Sequence, residues 1–340
     1  MILLTGGGGY IGAVTVRELL DKGYAVRVLD KFLYGEDPLT EFRSRIDCVH
    51  GDILAMGEEI LDGVDIVIHL AGLSNDPTAE FNPSANRKLN TDATQRLAEL
   101  CKKQGIKRFI FASSCSIYDR GMMAEDIIQD EDSMVEPCAA YATSKHAAEQ
   151  ALLALADQHF QPTILRQGTV YGWSPRMRYD LVVNTFVRSA FEFGRLTVHC
   201  GGEMWRPLVD VSDVAKCYLA CIQADLKDVG GQIFNLSHKN YRILELAHWV
   251  KKALDEFVEV EIDVEYGSQT ARDYRVSTKK IERVLGFRPA VSVEQSARHM
   301  AQKVMAGTHA DFHNPKYYNI KWLEMLVEVE KHLKRIGTIF

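Results

Sequence analysis

The first twelve residues, Met1-Ile-Leu-Leu-Thr-Gly-Gly-Gly-Gly-Tyr-Ile-Gly12, constrain this chain more than any other stretch. An apolar run with no polar residue before Thr5 reads as a strand buried on both faces. It passes without a spacer into glycines at 6, 9 and 12, where a helix is due to begin. Gly6 allows the tight strand-to-helix turn, Gly9 lets the backbone approach a pyrophosphate, and Gly12 lets helix and strand pack closely. A pyrophosphate held there meets the positive end of the helix. A glycine trio alone is weak; the flanking strand and helix make it a prediction of dinucleotide binding.

The rest of the first half repeats the rhythm. A helix over Ala13 to Lys22 is closed by Gly23, and a strand over Ala25 to Leu29 ends at Asp30. Strands follow at Arg45 to His50, Val64 to Leu70, Lys107 to Ala112 and Pro162 to Leu165, with helical periodicity at Ser84 to Gln104 and Tyr141 to His159. Alternation at this spacing predicts an α/β fold, a Rossmann-type doubly wound parallel sheet with ligands at the carboxyl ends of its strands. Beyond Gly172 the pattern loosens: a helix over Asp180 to Phe193, a strand over Met204 to Val211, a helix over Ser212 to Gln223 and a strand over Gly231 to Leu236 that rejoins the sheet. Helices then predominate, one opened by a capping box of Ser292 and Gln295. The expected division is residues 1–171 plus about 206–240 for the dinucleotide domain. A smaller, discontinuous α/β lid takes about 172–205 plus 241–310, and 311–340 is a helical tail. In that tail Tyr318, Trp322, Met325, Leu326, Val329, Leu333 and Ile336 form one stripe, expected to dock on the chain's own body.

Charge and cysteine usage exclude several classes. Lys and Arg total 40 against 46 Asp and Glu, a formal charge of −6, with no basic run, so no nucleic-acid partner is expected. Seven scattered cysteines without a Cys-x-x-Cys pair support neither a disulfide framework nor a metal site, and predict a reducing, cytoplasmic setting. Cys217 and Cys221 share a helix face and read as buried packing. No run approaches the roughly 18 apolar residues of a membrane span.

Three groups carry the expected chemistry. Asp30, at the end of the second strand, can accept hydrogen bonds from both hydroxyls of an adenosine ribose and would repel a 2′-phosphate, favouring NAD over NADP. Asp52, ending the third strand, either binds the adenine edge or is an ordinary Gly-Asp turn. Tyr141, Lys145 and Ser114 are the catalytic candidates. A tyrosine of pKa near 10 is a poor base at neutral pH, but a lysine one helical turn away and a cationic nicotinamide both favour its phenolate. The spacing Tyr141-Ala-Thr-Ser-Lys145 places both on one helix face. Ser114, after a strand, can hydrogen-bond the reacting hydroxyl. Spacing alone is cheap, because Tyr317-Tyr-Asn-Ile-Lys321 matches it too, without a strand-end serine before it.

Taken in order, Thr5-Gly-Gly-Gly-Gly-Tyr-Ile-Gly12, Asp30, Gly51-Asp52-Ile53, His69-Leu70-Ala71-Gly72, Asn90-Thr-Asp-Ala-Thr94, Ser113-Ser114, Tyr141-x-x-x-Lys145 and Leu165-Arg166 resemble an extended short-chain dehydrogenase/reductase of the sugar-nucleotide epimerase/dehydratase group. The likeness covers about residues 1 to 300. It implies that Tyr10, Ile11, Ile53, Leu70, Ala71, Gly72 and Asn90 join the glycines, Asp30, Asp52, Tyr141 and Lys145 in holding NAD. It implies a nucleoside diphosphate sugar as substrate, with Arg206 and Arg272 at positions that meet the diphosphate or nucleoside. Arginine forks suit phosphate oxygens, although each alone could be a surface ion-pair residue. Ser174-Pro-Arg176-Met-Arg178-Tyr-Asp-Leu-Val-Val-Asn184 is similar to a sub-branch that includes enzymes oxidising C4 of GDP-heptoses, which makes Asn184 a substrate contact. Arg176 and Arg178, placed at the start of a helix, are substrate candidates or helix-surface charge. Ser74 and Asn75 lie in a loop that faces the sugar. A homodimer through the helices at about Ser84 to Gln104 and Tyr141 to His159 is implied by the same resemblance.

The implied reaction is oxidation at a sugar carbon, C4 foremost. Tyr141 takes the hydroxyl proton while the carbon gives hydride to the nicotinamide, Lys145 tunes the tyrosine and holds the cofactor ribose, and Ser114 polarises the forming ketone. Dehydratases of this family carry an Asp-Glu pair where this chain has Cys115 and Ser116, which disfavours dehydration. Tyr118-Asp119 replaces a usual Tyr-Gly, and Thr169 a frequent asparagine. Epimerisation is the leading expectation, with dehydrogenase or 4-keto reductase activity as alternatives and a non-catalytic NAD sensor as a further one.

Overall fold

The computed structural model describes residues 1–119, 127–267 and 273–337. Ile2–Thr5 is strand β1, and the glycine turn leads into helix α1 (Tyr10–Asp21). Strands β2 (Val26–Asp30), β3 (Asp47–His50) and β4 (Ile66–His69) follow, then helices α2 (Asp76–Phe81), α3 (Pro83–Arg87) and α4 (Ala93–Lys103). Next come β5 (Arg108–Ser114), β6 (Ile128–Gln129), α5 (Ala140–Leu155), β7 (Gln161–Gln167), β8 (Thr169–Tyr171) and α6 (Val182–Phe193). After them run β9 (Arg195–Val198), β10 (Trp205–Asp210), α7 (Val211–Gln223), α8 (Leu226–Val229), β11 (Ile233–Leu236) and β12 (Lys239–Arg242). The chain finishes with α9 (Ile243–Leu254), β13 (Glu261–Val264), β14 (Arg275–Val276), α10 (Lys279–Leu285), α11 (Val293–Met305) and α12 (Asn319–Ile336).

Seven strands form one parallel sheet in the order β11-β7-β5-β4-β1-β2-β3. The strand order reverses between β1 and β4, so the glycine turn after β1 opens at the switch point where such sheets bind ligands. Both faces of the sheet are covered, and the strands sort their side chains with period 2. Ile2, Leu4, Val26 and Val28 pack beneath α1 and α7. Leu3, Leu29, Val67, Phe109 and Phe111 face α4 and α5. Cys217 and Cys221 are both fully buried on α7.

A second core gathers α6, α9 and α11 around Val183, Phe186, Leu246, Val250, Ala297 and Met300. Its strands are short: β8, β10 and β12 form a separate three-stranded sheet, and β9 pairs with β13. β10 therefore does not join the large sheet, whereas β11 does, beside β7. The helical stretch expected as Ser84 to Gln104 is interrupted by a π-turn over Lys88–Asp92 between α3 and α4. No helix among the described residues is long and apolar enough to cross a membrane.

Two expectations are corrected. Arg176 and Arg178 do not begin a helix; α6 starts only at Val182, and both arginines lie buried in the loop before it. The loop is held instead by tertiary contacts: Ser174 bonds Tyr10, Arg178 pairs with Asp180, and Asn184 accepts from the Gly172 N–H. The tail docks through its N-terminal turns only, with Leu323 in the cleft wall and Leu326 half-buried. Tyr318 and Asn319 are buried and Trp322 Nε1 donates to the Leu33 carbonyl at 2.6 Å, but Met325, Val329, Leu333 and Ile336 are exposed.

Candidate active site

The loops after β1, β2, β4, β5 and β7 converge on one cleft of about 370 Å³, roofed by the loop ahead of α6 and the start of α12. Gly6, Gly9, Tyr10, Ile11 and Gly12 line it, as do Asp30, Asp52, Ile53, Leu70, Ala71 and Gly72. Ser114, Tyr141 and Lys145 line it too, with Ser74, Asn75, Arg176 and Arg178. The glycines are dictated by close approach. Gly6 has a φ of +76°, and a Cβ on it would lie 2.8 Å from the Ala71 nitrogen; a Cβ on Gly12 would lie 2.1 Å from the Gly6 carbonyl oxygen. Side chains at either position would push β1, α1 and the β4 loop apart.

Asp30 is held ready. Its Oδ2 accepts from the Gly8 N–H at 2.8 Å and its Oδ1 from the Phe32 N–H at 2.7 Å. Burial raises its pKa, opposed by those two backbone donors. Each oxygen keeps lone-pair capacity for a ribose hydroxyl. Asp30→Asn keeps the shape and removes the charge, so NAD affinity is expected to fall about tenfold or more, the worth of a charge-assisted hydrogen bond. Discrimination against NADP should narrow in the same titration. Unchanged affinity for both dinucleotides would contradict this role. Asp52 pairs with Lys31 at 2.8 Å and caps the Leu54 N–H at 2.9 Å.

The catalytic candidates meet at the ends of β5 and α5. Ser114 ends β5 and its Oγ accepts from the Ser116 N–H at 3.1 Å, which fixes the side chain at the strand end. Tyr141 stands in the first turn of α5, with the Lys145 ammonium 6.0 Å from its ring centre. Lys145 is buried and donates to the Ala112 carbonyl at 2.8 Å, with the Phe111 ring 4.7 Å away. Burial pulls its pKa down to about 8, with Glu149 opposing, so the amine remains mostly charged at pH 7. One turn further along α5, Glu149 is fully buried and clasped by Arg166, whose Nη2 donates at 2.7 Å while Nη1 donates to the Tyr118 hydroxyl at 2.7 Å. Ser113 also donates to Glu149. Helix α5 is thus bolted to β5 and β7 beneath the Tyr141 and Lys145 side chains. Beneath the β4 loop, buried His69 lies between Thr5 and Thr94, and burial drops its pKa to about 3.

Several expected residues sit elsewhere. Asn90 is buried below the cleft; its amide donates to the Leu73 carbonyl at 3.0 Å and to Asn86 at 2.7 Å, supporting the β4 loop from behind. Asn184 is buried and spends its side chain on the Gly172 N–H, the Tyr10 hydroxyl and the Arg178 carbonyl. Arg206 does not line the cleft; its guanidinium lies 5.7 Å over Tyr274, which does. Arg272 lies outside the described residues. The tail copy of the Tyr/Lys spacing does no such work: Tyr317 contacts His309, and Lys321 lies over Tyr318. Cys115 is buried with its thiol on the Arg166 carbonyl, leaving Ser116 as the cleft residue of that pair. Residues not anticipated from sequence also line the cleft: Tyr34, Ser116, Tyr274, Asn319 and Leu323. Ser116 is next to a recognised serine and could have been found; Asn319 bonds Ser74 across 245 positions of chain and left no local signal.

A doubly wound parallel sheet with a glycine cradle at its switch point and a Ser/Tyr/Lys set at the next strand ends is the architecture of an extended short-chain dehydrogenase/reductase. Among solved structures, the UDP-glucuronic acid 4-epimerase of Bacillus cereus, in complex with UDP-glucuronic acid and NAD, superposes with a TM-score of 0.77 at 23% identity, over 90% of this chain and 99% of its own. The chain belongs to the NAD dependent epimerase/dehydratase family, whose model matches residues 2–237. Its relatives include a UDP-N-acetyl-alpha-D-glucosaminuronate decarboxylase of Bacillus cytotoxicus, 27% identical over 88% of this chain and 96% of the relative. An uncharacterized UDP-glucose epimerase of Bacillus subtilis is 30% identical over 63% of this chain and 70% of the relative. The protein is therefore an enzyme of an NAD-dependent family acting on nucleotide sugars, as epimerases, dehydratases and decarboxylases.

Proposed function

We propose that this enzyme oxidises a sugar carbon of a nucleoside diphosphate sugar, C4 foremost, and reduces the transient ketone again, acting as an epimerase. The observation that carries the reading is Tyr141 beside buried, charged Lys145 in a cleft shared with the glycine cradle and Ser114. NAD, which the glycine turn and Asp30 fit, supplies a hydride acceptor that can return what it takes. Tyr141 removes the hydroxyl proton, and the Lys145 ammonium favours the phenolate that does so. Ser114 Oγ, fixed at the end of β5, donates to the oxygen as it becomes a carbonyl. Dehydration would need an acid and a base beyond these, and Cys115 and Ser116 provide neither carboxylate.

A second reading is supported by the decarboxylase relatives: if the sugar carries a carboxylate at C5, a ketone at C4 makes it a β-keto acid that can lose carbon dioxide without an added base. A homodimer through the helices of about Ser84 to Gln104, here α3 and α4, and of about Tyr141 to His159, here α5, is proposed on the family likeness.

The test incubates purified protein and NAD with UDP-, GDP-, CDP- and dTDP-sugars, uronic acids included, following NADH absorbance and product mass. A sugar isomer without accumulating NADH supports the epimerase. A product lighter by carbon dioxide supports the decarboxylase, and one lighter by water would overturn the argument from Cys115 and Ser116. Stoichiometric NADH indicates a dehydrogenase, and no conversion of any sugar would sink the catalytic reading.

A further inference from the structure

Arg176 is a buried cation that makes no ion pair among the described residues, the nearby Asp180 carboxylate acting on it only at a distance. It is 5% exposed and lines the cleft, yet no carboxylate contacts it among the described residues. Its Nη2 donates to the Asn319 side-chain oxygen at 2.5 Å, its guanidinium stacks 3.7 Å from the Tyr34 ring centre, and its buried Nε has no hydrogen-bond partner. The nearby acid is already engaged: Asp180 takes Arg178 at 2.8 and 3.0 Å and the Asn319 N–H at 3.2 Å. Burying an arginine whose direct contacts are neutral is unfavourable by several kcal/mol, and a guanidinium at the cleft wall with an unsatisfied Nε is a donor group that an anion would complete.

The surroundings say which anion. Arg176 follows a loop stitched to the first residue of α1: Ser174 Oγ donates to the Tyr10 carbonyl at 2.7 Å, and the Tyr10 hydroxyl donates to the Gly172 carbonyl at 2.6 Å. Tyr34 follows β2, whose end carries Asp30. Asn319 reaches Ser74 in the β4 loop at 2.8 Å, and neighbouring Trp322 ties the tail to Leu33. These contacts place Arg176 in a loop that abuts the N-terminus of α1, with its guanidinium between the loop after β2 and the β4 loop. The Ser114, Tyr141 and Lys145 chemistry belongs to the ends of β5 and α5.

We propose that Arg176, held in place by Asn319 of the C-terminal segment, binds the pyrophosphate of the dinucleotide from the side opposite the glycine turn. The pyrophosphate is then gripped by backbone N–H groups and a helix terminus on one side and a guanidinium on the other. Asn319 is a positioning residue. The first turn of α12 becomes part of the cofactor site, and an arginine weighed for the sugar is reassigned to NAD. This inference rests on the glycine turn being the NAD site.

Binding of NAD+, ADP-ribose and UDP is measured by calorimetry on the wild-type protein and on Arg176→Met, Arg176→Lys and Asn319→Ala. Arg176→Met is expected to weaken NAD+ and ADP-ribose alike by at least about tenfold, the low end for a charge-assisted contact, and to leave UDP unchanged. Arg176→Lys should restore part of the loss, and Asn319→Ala should fall between wild type and Arg176→Met. Thermal unfolding of the ligand-free variants establishes that each is folded; Arg176→Met, freed of a buried charge, should melt no lower than wild type. NAD+ and ADP-ribose affinity unaltered in Arg176→Met overturns the proposal, as does a loss confined to UDP, which would return Arg176 to the sugar nucleotide. A wild-type protein that binds UDP but not NAD+ would overturn the cofactor reading of the glycine turn itself.

Discussion

Tyr141→Phe is expected to lower kcat by about 10³-fold, in the range that general acid–base groups contribute, while leaving KM for the sugar nucleotide and the affinity for NAD nearly unchanged. The change removes one oxygen from a half-buried side chain in the first turn of α5, so the helix, Lys145 and the cleft wall remain. An interaction made only with the transferring proton should appear in kcat and not in binding. Lys145 sharpens the expectation. Its pKa near 8 leaves it charged at neutral pH, and a charge beside a phenol acts on the ionised form only. Steady-state kinetics on the active nucleotide sugar, with NAD binding measured in parallel, check both halves. Turnover within tenfold of wild type would mean that another group removes the proton.

Arg166→Met is expected to cost about 3–5 kcal/mol of stability, because it strands the fully buried Glu149 carboxylate. In the wild-type protein burial would raise the Glu149 pKa, but hydrogen bonds from Arg166 and Ser113 and the charge of Arg166 hold it below the ordinary carboxylate value. A depressed pKa gives stability that is present above the unfolded value of about 4.5 and lost as pH falls through the folded one. Without Arg166 burial wins, the pKa rises, and the sign reverses. The deficit of the variant should therefore be largest at pH 7 and shrink as acidification toward pH 4.5 lets Glu149 become neutral. Denaturant midpoints at several pH values read this directly. A deficit constant across that range would show that Glu149 is not the origin of the loss.

Much of the molecule was legible in the sequence because its signals are local. The glycine turn needs neighbours within a dozen residues, Tyr141 and Lys145 need one helical turn, and each parallel strand is a short apolar run between turn residues. The misplacements share the opposite cause. Asn184, taken from the resemblance as a substrate contact, spends its amide on Gly172, Tyr10 and Arg178, none of them visible from spacing. Arg176 and Arg178 read as substrate candidates at the start of a helix because nothing local shows that the helix begins later and that Asn319, Ser74 and Tyr34 close over them. The tail stripe has the right period for a docking helix, yet the body offers a surface only to its N-terminal turns. Periodicity describes a face; it says nothing about what covers it.

Lys145 and Arg176 share one property. Both are buried cations, the one bonded to the carbonyl of Ala112 and the other to the amide of Asn319, with no carboxylate in contact with either among the described residues. The cleft thus holds two charges removed from water and compensated mainly by neutral groups, which a bound anion would complement. An anionic ligand that binds there, and not to the unfolded chain, stabilises the native state by mass action to the extent that its contacts set its affinity. The temperature of unfolding is therefore expected to rise with NAD+ concentration, more steeply for the wild type than for Arg176→Met.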